Sequence, residues 1–383
     1  MLYYLTQYVL EQARGTAWAD PLSGLRVFQY ITFRSAGAAI TALLLSLLLG
    51  PRVIRALAEK GFQQGYTDTA RQAAGQKDTA RLKRGVPTMG GLLIVVVIDL
   101  TALLWAQWNK LVILTLVPLL GLAALGCYDD YAKLLRQRGS AGVTERFKLI
   151  TQTGLALIVA LYLWRVEETR HLVSDLMVPF LKDPFLTGVP LLGVLLTVAT
   201  IVGSSNAVNL TDGMDGLAIG CTLIVTGVFI VLTYVAGHRI IAEYLHVPRV
   251  VGAGELTVVC AGMFGACLGF LWFNCHPAEV FMGDTGSLAL GGVLGIIAVL
   301  IHQPLVLVIA GGVFVMEAVS VMLQRAYFKY TRRRTGEGRR IFLCAPIHHH
   351  FEQKGWAESQ VVTRFYILGV FFGVLALATL KLR

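Results

Sequence analysis

The chain has 383 residues, of which 56% are hydrophobic and only 15% are charged. In a typical soluble domain about a quarter of the residues are charged. The composition therefore excludes an ordinary soluble enzyme and indicates an integral membrane protein. The formal net charge of +10 is not accompanied by the interleaved aromatic residues of a nucleic-acid groove, so no nucleic-acid partner is expected. We expect one membrane domain over residues 1–383.

Apolar runs that approach the length of a membrane span recur along the whole chain. A helix rises about 1.5 Å per residue, so a span needs roughly 20 apolar residues. The candidates lie near 28–50, 89–107, 111–128, 148–165, 189–203, 216–236, 257–274, 288–301, 304–324 and 363–381. The fifth and eighth are short and interrupted by glycine, which makes them candidates for broken or tilted spans. The sequence predicts an all-α polytopic membrane protein of about ten transmembrane helices.

The distribution of basic residues predicts how this bundle is oriented. The loops after the first, third and ninth spans hold most of the lysines and arginines, whereas the loops after the fourth and sixth hold few. Positively charged loops are retained in the cytoplasm. We therefore expect these basic loops to be cytoplasmic and both termini to be periplasmic.

Two acidic clusters are predicted on the cytoplasmic side. Asp129 and Asp130 are adjacent at the inner end of the third span, where solvation of a charged pair at the headgroup level would be the simpler interpretation. Asp212 and Asp215 lie on a tight turn between spans five and six, where Gly213 lets backbone amides approach a ligand. Either of these two aspartates could instead cap a helix.

Three further motifs fall on the same predicted side. Asp284, within Gly-Asp-Thr-Gly-Ser at 283–287, offers a hard oxygen ligand that suits Mg²⁺ and phosphate better than a soft metal. Three consecutive histidines at 348–350 cannot easily converge on one ion, so contact with a phosphate is favoured over zinc, with at least one ring structural. The string 83–91 adds a lysine, a hydroxyl and glycines, and would be weak evidence alone.

Together these motifs predict a site for phosphoryl transfer, where catalysis is mostly positioning and charge neutralisation. Their position at the membrane implies a lipid substrate. The Walker A pattern is absent from the sequence, so a pre-activated nucleotide diphosphate is favoured over ATP as donor. An ion-coupled transporter is the alternative from another class, but transporters carry their acidic residues at midspan and here they are predicted at loop ends.

The strings at 128–131, 206–216, 281–287 and 346–350 resemble those of the phospho-N-acetylmuramoyl-pentapeptide transferase family. That family is a branch of the polyprenyl-phosphate N-acetylhexosamine-1-phosphate transferases, and the histidine string is specific to it. The resemblance extends over nearly the whole chain. It implies a Mg²⁺-dependent transfer of phospho-MurNAc-pentapeptide from UDP-MurNAc-pentapeptide to undecaprenyl phosphate, which yields lipid I and UMP. It also implies a homodimer in the bacterial inner membrane.

The resemblance also implies roles for individual residues. Asp284 matches the Mg²⁺ ligand, Asp129 the proposed base that deprotonates the lipid phosphate, and Asp130 its partner; His348 is added to these as catalytic. The matches near the sugar, phosphates and uracil are Asn209, Asp212, Gly213, Met214, Asp215 and, as the stacking aromatic, Phe281. Positions used around the nucleotide or diphosphate are matched by Lys83, Thr88, Asn274, Gln324, His348 and His349.

Two mechanisms and one related activity stay open at this point. In a direct route the lipid phosphate attacks the sugar-linked phosphorus, and in a two-step route a carboxylate attacks first and forms a phosphoryl-enzyme. The direct route is favoured. A sibling enzyme that transfers GlcNAc-1-phosphate to the same lipid shares the aspartate clusters, but the histidine string argues against it.

Overall fold

A computed structural model describes residues 1–62, 85–136 and 143–381, apart from the side chain of Arg136. Within these ranges the secondary structure is helical, with isolated bridges such as the one between Leu176 and Leu186. The first half of the bundle contains α1 (Leu2–Ala13), α2 (Ile31–Glu59), α3 (Gly91–Trp105), α4 (Lys110–Arg136), α5 (Glu145–Arg165), α6 (His171–Ser174) and α7 (Pro190–Thr211). The second half contains α8 (Leu217–Gly237), α9 (Arg239–Tyr244), α10 (Gly254–Asn274), α11 (Gly283–Leu300), α12 (Pro304–Ala310), α13 (Gly312–Thr335), α14 (Ile347–Gln353) and α15 (Glu358–Ala378). Short 3₁₀ helices lie at Pro21–Gln29 and Glu167–Thr169.

The structure bears out an all-helical polytopic membrane protein and gives eight or nine candidate spans among the described residues, where the sequence predicted about ten. Within the described ranges, eight helices are long and apolar enough to cross a membrane, and a ninth span results if α12 and α13 are taken together. The remaining candidate, α3, is apolar but has only 15 residues. A helix of that length falls short of the roughly 20 residues needed to cross hydrocarbon without help from its neighbours.

The break in the helical spans is not where the glycines of the fifth and eighth candidates suggested. The corresponding helices, α7 and α11, are continuous over 22 and 18 residues. Their glycines mark close helix contacts, because a β-carbon at Gly291 or Gly295 would overlap α7. The bend of 85° instead separates α12 from α13 at Gly311, and α13 ends in three arginines that hydrocarbon would not accommodate.

Helix α11 is the centre of the bundle, and all of its residues from Asp284 to Leu300 are buried. It packs against α3, α4, α7, α8 and α12. The close approach of α4 requires a glycine: a β-carbon at Gly126 would overlap the backbone of Asp284 and Thr285 in the first turn of α11. Because Asp129 follows Gly126 by one helical turn, this contact brings its carboxylate towards Asp284.

A buried ion pair ties three helices together at the opposite end of the bundle. Arg34 of α2 donates two hydrogen bonds to Glu255 of α10, with Nη1 to Oε2 at 2.6 Å and Nη2 to Oε1 at 2.7 Å. Arg34 also reaches the carbonyl of Trp105 at the end of α3, and Oε2 of Glu255 accepts the amide of Gln107. The bidentate geometry fixes the position of α2 along the axis of α10.

We expect Arg34→Met to lower the free energy of unfolding by about 3 to 5 kcal/mol, because it leaves the Glu255 carboxylate buried without its partner. Thermal unfolding in detergent would measure this as a lower midpoint. The double variant Arg34→Met with Glu255→Leu should recover much of the loss, since neither charge remains. Equal midpoints for wild type and Arg34→Met would contradict a structural role for the pair.

Candidate active site

Three carboxylates meet where the end of α4 contacts the start of α11. One oxygen from each of Asp129, Asp130 and Asp284 lies within 4.8 Å of the others. The sequence predicted these aspartates where spans and loops meet, and the structure places them in the last turns of α4 and the first turn of α11. Helices hold side chains more rigidly than loops do, so their relative positions are set by the contact between α4 and α11.

Two lysines neutralise the carboxylates. Nζ of Lys133 lies 2.9 Å from Oδ2 of Asp129 and 2.8 Å from Oδ1 of Asp284. Nζ of Lys148, in the first turn of α5, lies 2.9 Å from Oδ2 of Asp129 and 2.6 Å from Oδ2 of Asp284. Each lysine therefore bridges Asp129 and Asp284. We refer to Asp129, Asp130, Asp284, Lys133 and Lys148 as the acid–lysine cluster.

The positive-inside rule accounts for both lysines by membrane topology alone, and the sequence does not predict either of them as a site residue. The spacing of Asp129 and Lys133, one helical turn apart, was a local signal that the two side chains could pair. The position of Lys148 had no such signal, because its partners lie in other helices. The convergence of α5 on the cluster is a property of the fold.

Asp130 has a different environment from Asp129 although the two are adjacent. Its side chain is fully buried and accepts hydrogen bonds from the amides of Asp284 and Thr285 and from the hydroxyl of Thr285, at 2.8 to 3.1 Å. The first amides of a helix lack partners within the helix and favour negative charge. Asp130 thus caps α11 from a neighbouring helix and fixes the backbone that carries Asp284.

Asn209 completes the surroundings of Asp284. Its Nδ2 donates to Oδ1 of Asp284 at 3.0 Å and to Oγ of Ser287 at 2.9 Å. The Ser287 hydroxyl in turn donates to the carbonyl of Gly283 at 3.0 Å. Asn209 lies near the end of α7, so a third helix helps to orient the Asp284 carboxylate.

A polar cavity of about 210 Å³ opens beside the acid–lysine cluster. It is lined by Thr88, Lys133, Asp212, Gly213, Met214, Asp215, Asn274, Phe281, Gly283 and Asp284. Most of the residues predicted to bind substrate are therefore brought together. The buried hydroxyl of Thr88 makes no hydrogen bond to any described residue, so a ligand in the cavity could use it.

Hydrogen bonds between two segments build one wall of the polar cavity. The amide of Gly216 donates to Oδ1 of Asn274 at 3.1 Å, and Nδ2 of Asn274 donates to the carbonyl of Val280 at 2.8 Å. Tyr366 of α15 donates its hydroxyl to the carbonyl of Gly216 at 2.7 Å. The turn 212–216 and the segment 274–281 are thereby held in a fixed relation, with Phe281 at the edge of the cavity.

Asp215 does not cap α8, the alternative left open by the sequence. The cap of that helix involves no side-chain hydrogen bond, and Oδ2 of Asp215 accepts the amide of Ala278 at 3.3 Å and lies 3.0 Å from Nδ1 of His276. Its neighbour Asp212 is the C-cap residue of α7 and lines the cavity. The two aspartates thus have distinct environments.

The three consecutive histidines point to three different partners, as expected from their adjacency. His348 is fully buried, with Nδ1 3.1 Å from Oε2 of Glu317; His349 lies 3.0 Å from Glu352. His350 accepts the amide of Leu343. Burial lowers the pKa of His348 below its ordinary value, although Glu317 acts in the opposite direction. His348 lies behind the turn 212–216, with Nε2 against Gly213.

Two further predicted residues lie away from the cavity or outside the described chain. Gln324 of α13 binds the loop that follows its helix: Oε1 accepts the amides of Ile341 and Phe342, and Nε2 donates to the carbonyl of Phe342, all at 3.0 Å. These hydrogen bonds engage the side-chain amide of Gln324 and hold the loop against α13. Lys83 lies outside the described residues.

A buried acidic cluster bridged by lysines, beside a polar cavity at one end of a bundle of apolar helices, is the arrangement expected of a membrane-embedded transferase. Residues 112–302 match the family described as Glycosyl transferase family 4. The chain is 45% identical to the phospho-N-acetylmuramoyl-pentapeptide-transferase of Methylacidiphilum infernorum over all of both chains. It is 48% identical to that of Desulfotalea psychrophila, over 94% of this chain and 96% of the relative.

A third relative with the same name, from Opitutus terrae, is 46% identical over 95% of this chain and 98% of its own length. The chain belongs to the phospho-N-acetylmuramoyl-pentapeptide-transferase family. It is therefore an enzyme that transfers a sugar phosphate. The resemblance noted in its motifs is confirmed over the full length.

Proposed function

We propose that the protein transfers phospho-MurNAc-pentapeptide from UDP-MurNAc-pentapeptide to undecaprenyl phosphate, with release of UMP and formation of lipid I. One observation carries the proposal: the acid–lysine cluster lies beside the polar cavity and near the end of an apolar groove. A reaction between a soluble nucleotide and a membrane lipid needs both kinds of surface at one reacting centre.

The apolar groove has a volume of about 250 Å³ and is formed by α7, α11, α12 and α13. Its walls include Ala207 and Val208, which immediately precede the Asn209 that binds Asp284. An isoprenoid chain in this groove could therefore present its terminal phosphate to Lys148 and Lys133. The bend of 85° between α12 and α13 lies at Gly311, which lines this groove.

The polar cavity fits the uridine nucleotide. Phe281 offers an aromatic face for a base, while the turn 212–216 and Asn274 offer hydrogen-bonding groups. Lys133 lines the same cavity and belongs to the acid–lysine cluster. The diphosphate would then extend from the base towards Asp284, with lysine ammonium groups to offset its charge.

The donor set of the acid–lysine cluster fits Mg²⁺. Carboxylate oxygens of three aspartates lie within 4.8 Å of one another, and hard oxygen ligands are those that Mg²⁺ prefers. Because Asp130 is bound to the start of α11 and Asp129 is the proposed base, we assign Asp284 as the residue that would hold the ion. Bound Mg²⁺ would neutralise the charge that develops on the phosphates. Lys133 and Lys148 would then be released towards phosphate oxygens.

The direct route requires one bond to form and one to break at the donor phosphorus. An oxygen of the lipid phosphate attacks the sugar-linked phosphorus, and the bond from that phosphorus to the oxygen of UMP breaks. Asp129 takes the last proton of the lipid phosphate where that group is still protonated. Asn209 and Asp130 hold Asp284 in place, and the buried His348 supports the turn that contacts the nucleotide.

We also place the protein in the bacterial cytoplasmic membrane, with the polar cavity on the cytoplasmic side and both termini outside, as the basic loops indicate. UDP-linked sugars are cytoplasmic, so this orientation gives the donor access. The family resemblance further supports a homodimer. Chemical cross-linking of the purified protein in detergent would test the dimer.

UMP release by the purified protein, given undecaprenyl phosphate and Mg²⁺, tests the proposed function. Release from UDP-MurNAc-pentapeptide and not from UDP-GlcNAc is expected. Release from UDP-GlcNAc alone would assign the protein to the sibling activity. Failure to release UMP from either donor in a folded sample would contradict transfer, and solute flux in vesicles would then favour a transporter.

We expect Gly213→Ala to reduce turnover by about 10-fold to 100-fold. The added β-carbon would overlap Nε2 of the buried His348, so the turn 212–216 must move relative to the cluster, and small displacements of binding groups have effects of this size. UMP release at saturating lipid measures the effect.

Gly154→Ala in α5 is the matched control, because a β-carbon there meets nothing within 4 Å and alanine favours a helix. It should keep wild-type turnover. If Gly213→Ala is equally active, the packing of His348 against the turn does not matter for the site.

A further inference from the structure

The buried carboxylates of Asp215, in the turn 212–216, and Glu358 lie close together, with oxygens within 4.8 Å of each other. The side chains of Asp215 and Glu358 are only 2% and 3% exposed. Oε1 of Glu358, the first residue of α15, accepts the amide of Asp215 at 2.9 Å. Two carboxylates this close repel each other unless a positively polarised group lies between them.

His276 supplies that group. Its Nδ1 lies 3.0 Å from Oδ2 of Asp215 and 3.9 Å from Oε2 of Glu358. The two neighbouring carboxylates favour the tautomer with the proton on Nδ1, in which His276 donates to Asp215. The ring itself is partly exposed, with 31% of the side chain accessible, so its other nitrogen can meet solvent.

This hydrogen bond joins the two segments that form one wall of the polar cavity. Asp215 belongs to the turn 212–216, and His276 belongs to the segment 274–281. Oδ2 of Asp215 also accepts the amide of Ala278 in that segment. The imidazole thus adds a side-chain hydrogen bond across the wall to the backbone contact at Ala278.

We propose that His276 is a positioning residue for donor binding. By donating Nδ1–H to Asp215, it holds the turn 212–216 against the segment 274–281. This contact increases the affinity of the cavity for the uridine nucleotide. The inference rests on the proposed function, because the nucleotide is the assumed occupant of the cavity. His276 lies outside the acid–lysine cluster. Its loss should therefore weaken binding of the donor and leave the chemical step intact.

A metal-ligand role for the same residues is less favourable. Asp215, His276 and Glu358 have ligand atoms within 4.8 Å of one another. However, Oδ2 of Asp215 already accepts a backbone amide, and Oε1 of Glu358 accepts another. The carboxylates are thus used in fixing backbone, which is what a positioning role requires.

The test compares His276→Ala, His276→Leu and His276→Asn. The alanine and leucine variants remove the donor, and leucine retains bulk should the alanine variant fold poorly. Asparagine places its amide nitrogen near the position of Nδ1 and can still donate to Asp215. We expect the first two variants to raise the KM for UDP-MurNAc-pentapeptide about fivefold to tenfold with kcat changed by less than about twofold. His276→Asn should restore the KM.

Glu279→Ala, in the same segment and exposed, is the control and should match wild type. An unchanged KM in His276→Leu, or a loss confined to kcat, would overturn the proposal. So would failure of asparagine to restore the KM. Equilibrium binding of UMP to the same variants gives a readout without turnover. If wild type binds UMP but releases none from either donor, the proposed function fails while the binding series still tests His276.

Discussion

Asp284→Asn should reduce UMP release by about 1,000-fold while the protein remains folded. The carboxylate of Asp284 contacts both lysines of the acid–lysine cluster and Asn209. It is also the residue assigned to Mg²⁺ by its position and chemistry. Phosphoryl transfer depends mainly on positioning and charge neutralisation, so removal of a central charge affects the transition state directly. Initial rates of UMP release at saturating donor and lipid would measure the loss.

Asp99→Asn provides the matched control. Asp99 is another carboxylate in an apolar helix, α3, and it makes no ion pair with the described residues. It should keep wild-type activity. An Asp284→Asn variant with more than about a tenth of wild-type turnover would show that Asp284 is not central to the reaction. A matching fall in the thermal midpoint would instead attribute the loss to folding.

The sequence predicted the acidic residues of the site because each stands in a short polar motif at the end of an apolar run. Asp129, Asp284 and Asp212 were identified in this way, and the structure brings them to one region. Asn274 and Phe281 followed from the family resemblance and line the cavity. What these residues share is a local signal: a polar or aromatic group where a span begins or ends.

Features that depend on contacts between distant segments could not be predicted. The amides that Asp130 accepts belong to residues about 150 positions away, so its capping role appears only when α4 meets α11. Lys148 converges on the cluster for the same reason. Glu317 lies 3.1 Å from His348 because α13 packs against α14. The positive-inside rule explains why lysines are concentrated on the cytoplasmic side of the membrane. It does not distinguish the lysines that join the acid–lysine cluster from the others.

The count of spans depends on tertiary packing for a related physical reason. Composition detects stretches that tolerate hydrocarbon, but the length of a helix depends on its neighbours. Helix α3 ends after 15 residues, near the carbonyl of Trp105 that Arg34 binds. Glycines of α11 serve close packing and leave that helix intact, whereas the break occurs at Gly311. The sequence alone does not distinguish these two uses of glycine.

Asp129→Asn and Asp130→Asn should both lose activity, but only Asp130→Asn should also lose stability. The Asp130 side chain is buried and accepts two amides and a hydroxyl at the start of α11. An asparagine can offer one acceptor oxygen, so at least one buried donor is left unpaired at a cost of about 1 to 3 kcal/mol. A lower thermal midpoint together with reduced UMP release is therefore expected for Asp130→Asn.

For Asp129→Asn the thermal midpoint should stay close to wild type, since the Asp129 carboxylate binds lysine side chains and accepts no backbone amide of the described residues. Its activity loss should depend on pH if Asp129 acts as the base. The second proton of a phosphate monoester dissociates with a pKa of about 6, so the lipid phosphate needs a base near pH 6 and hardly any at pH 8. The ratio of wild-type to Asp129→Asn turnover should therefore fall as pH rises across that interval. A ratio that stays constant with pH would assign Asp129 to charge compensation within the acid–lysine cluster and would remove the base from the direct route.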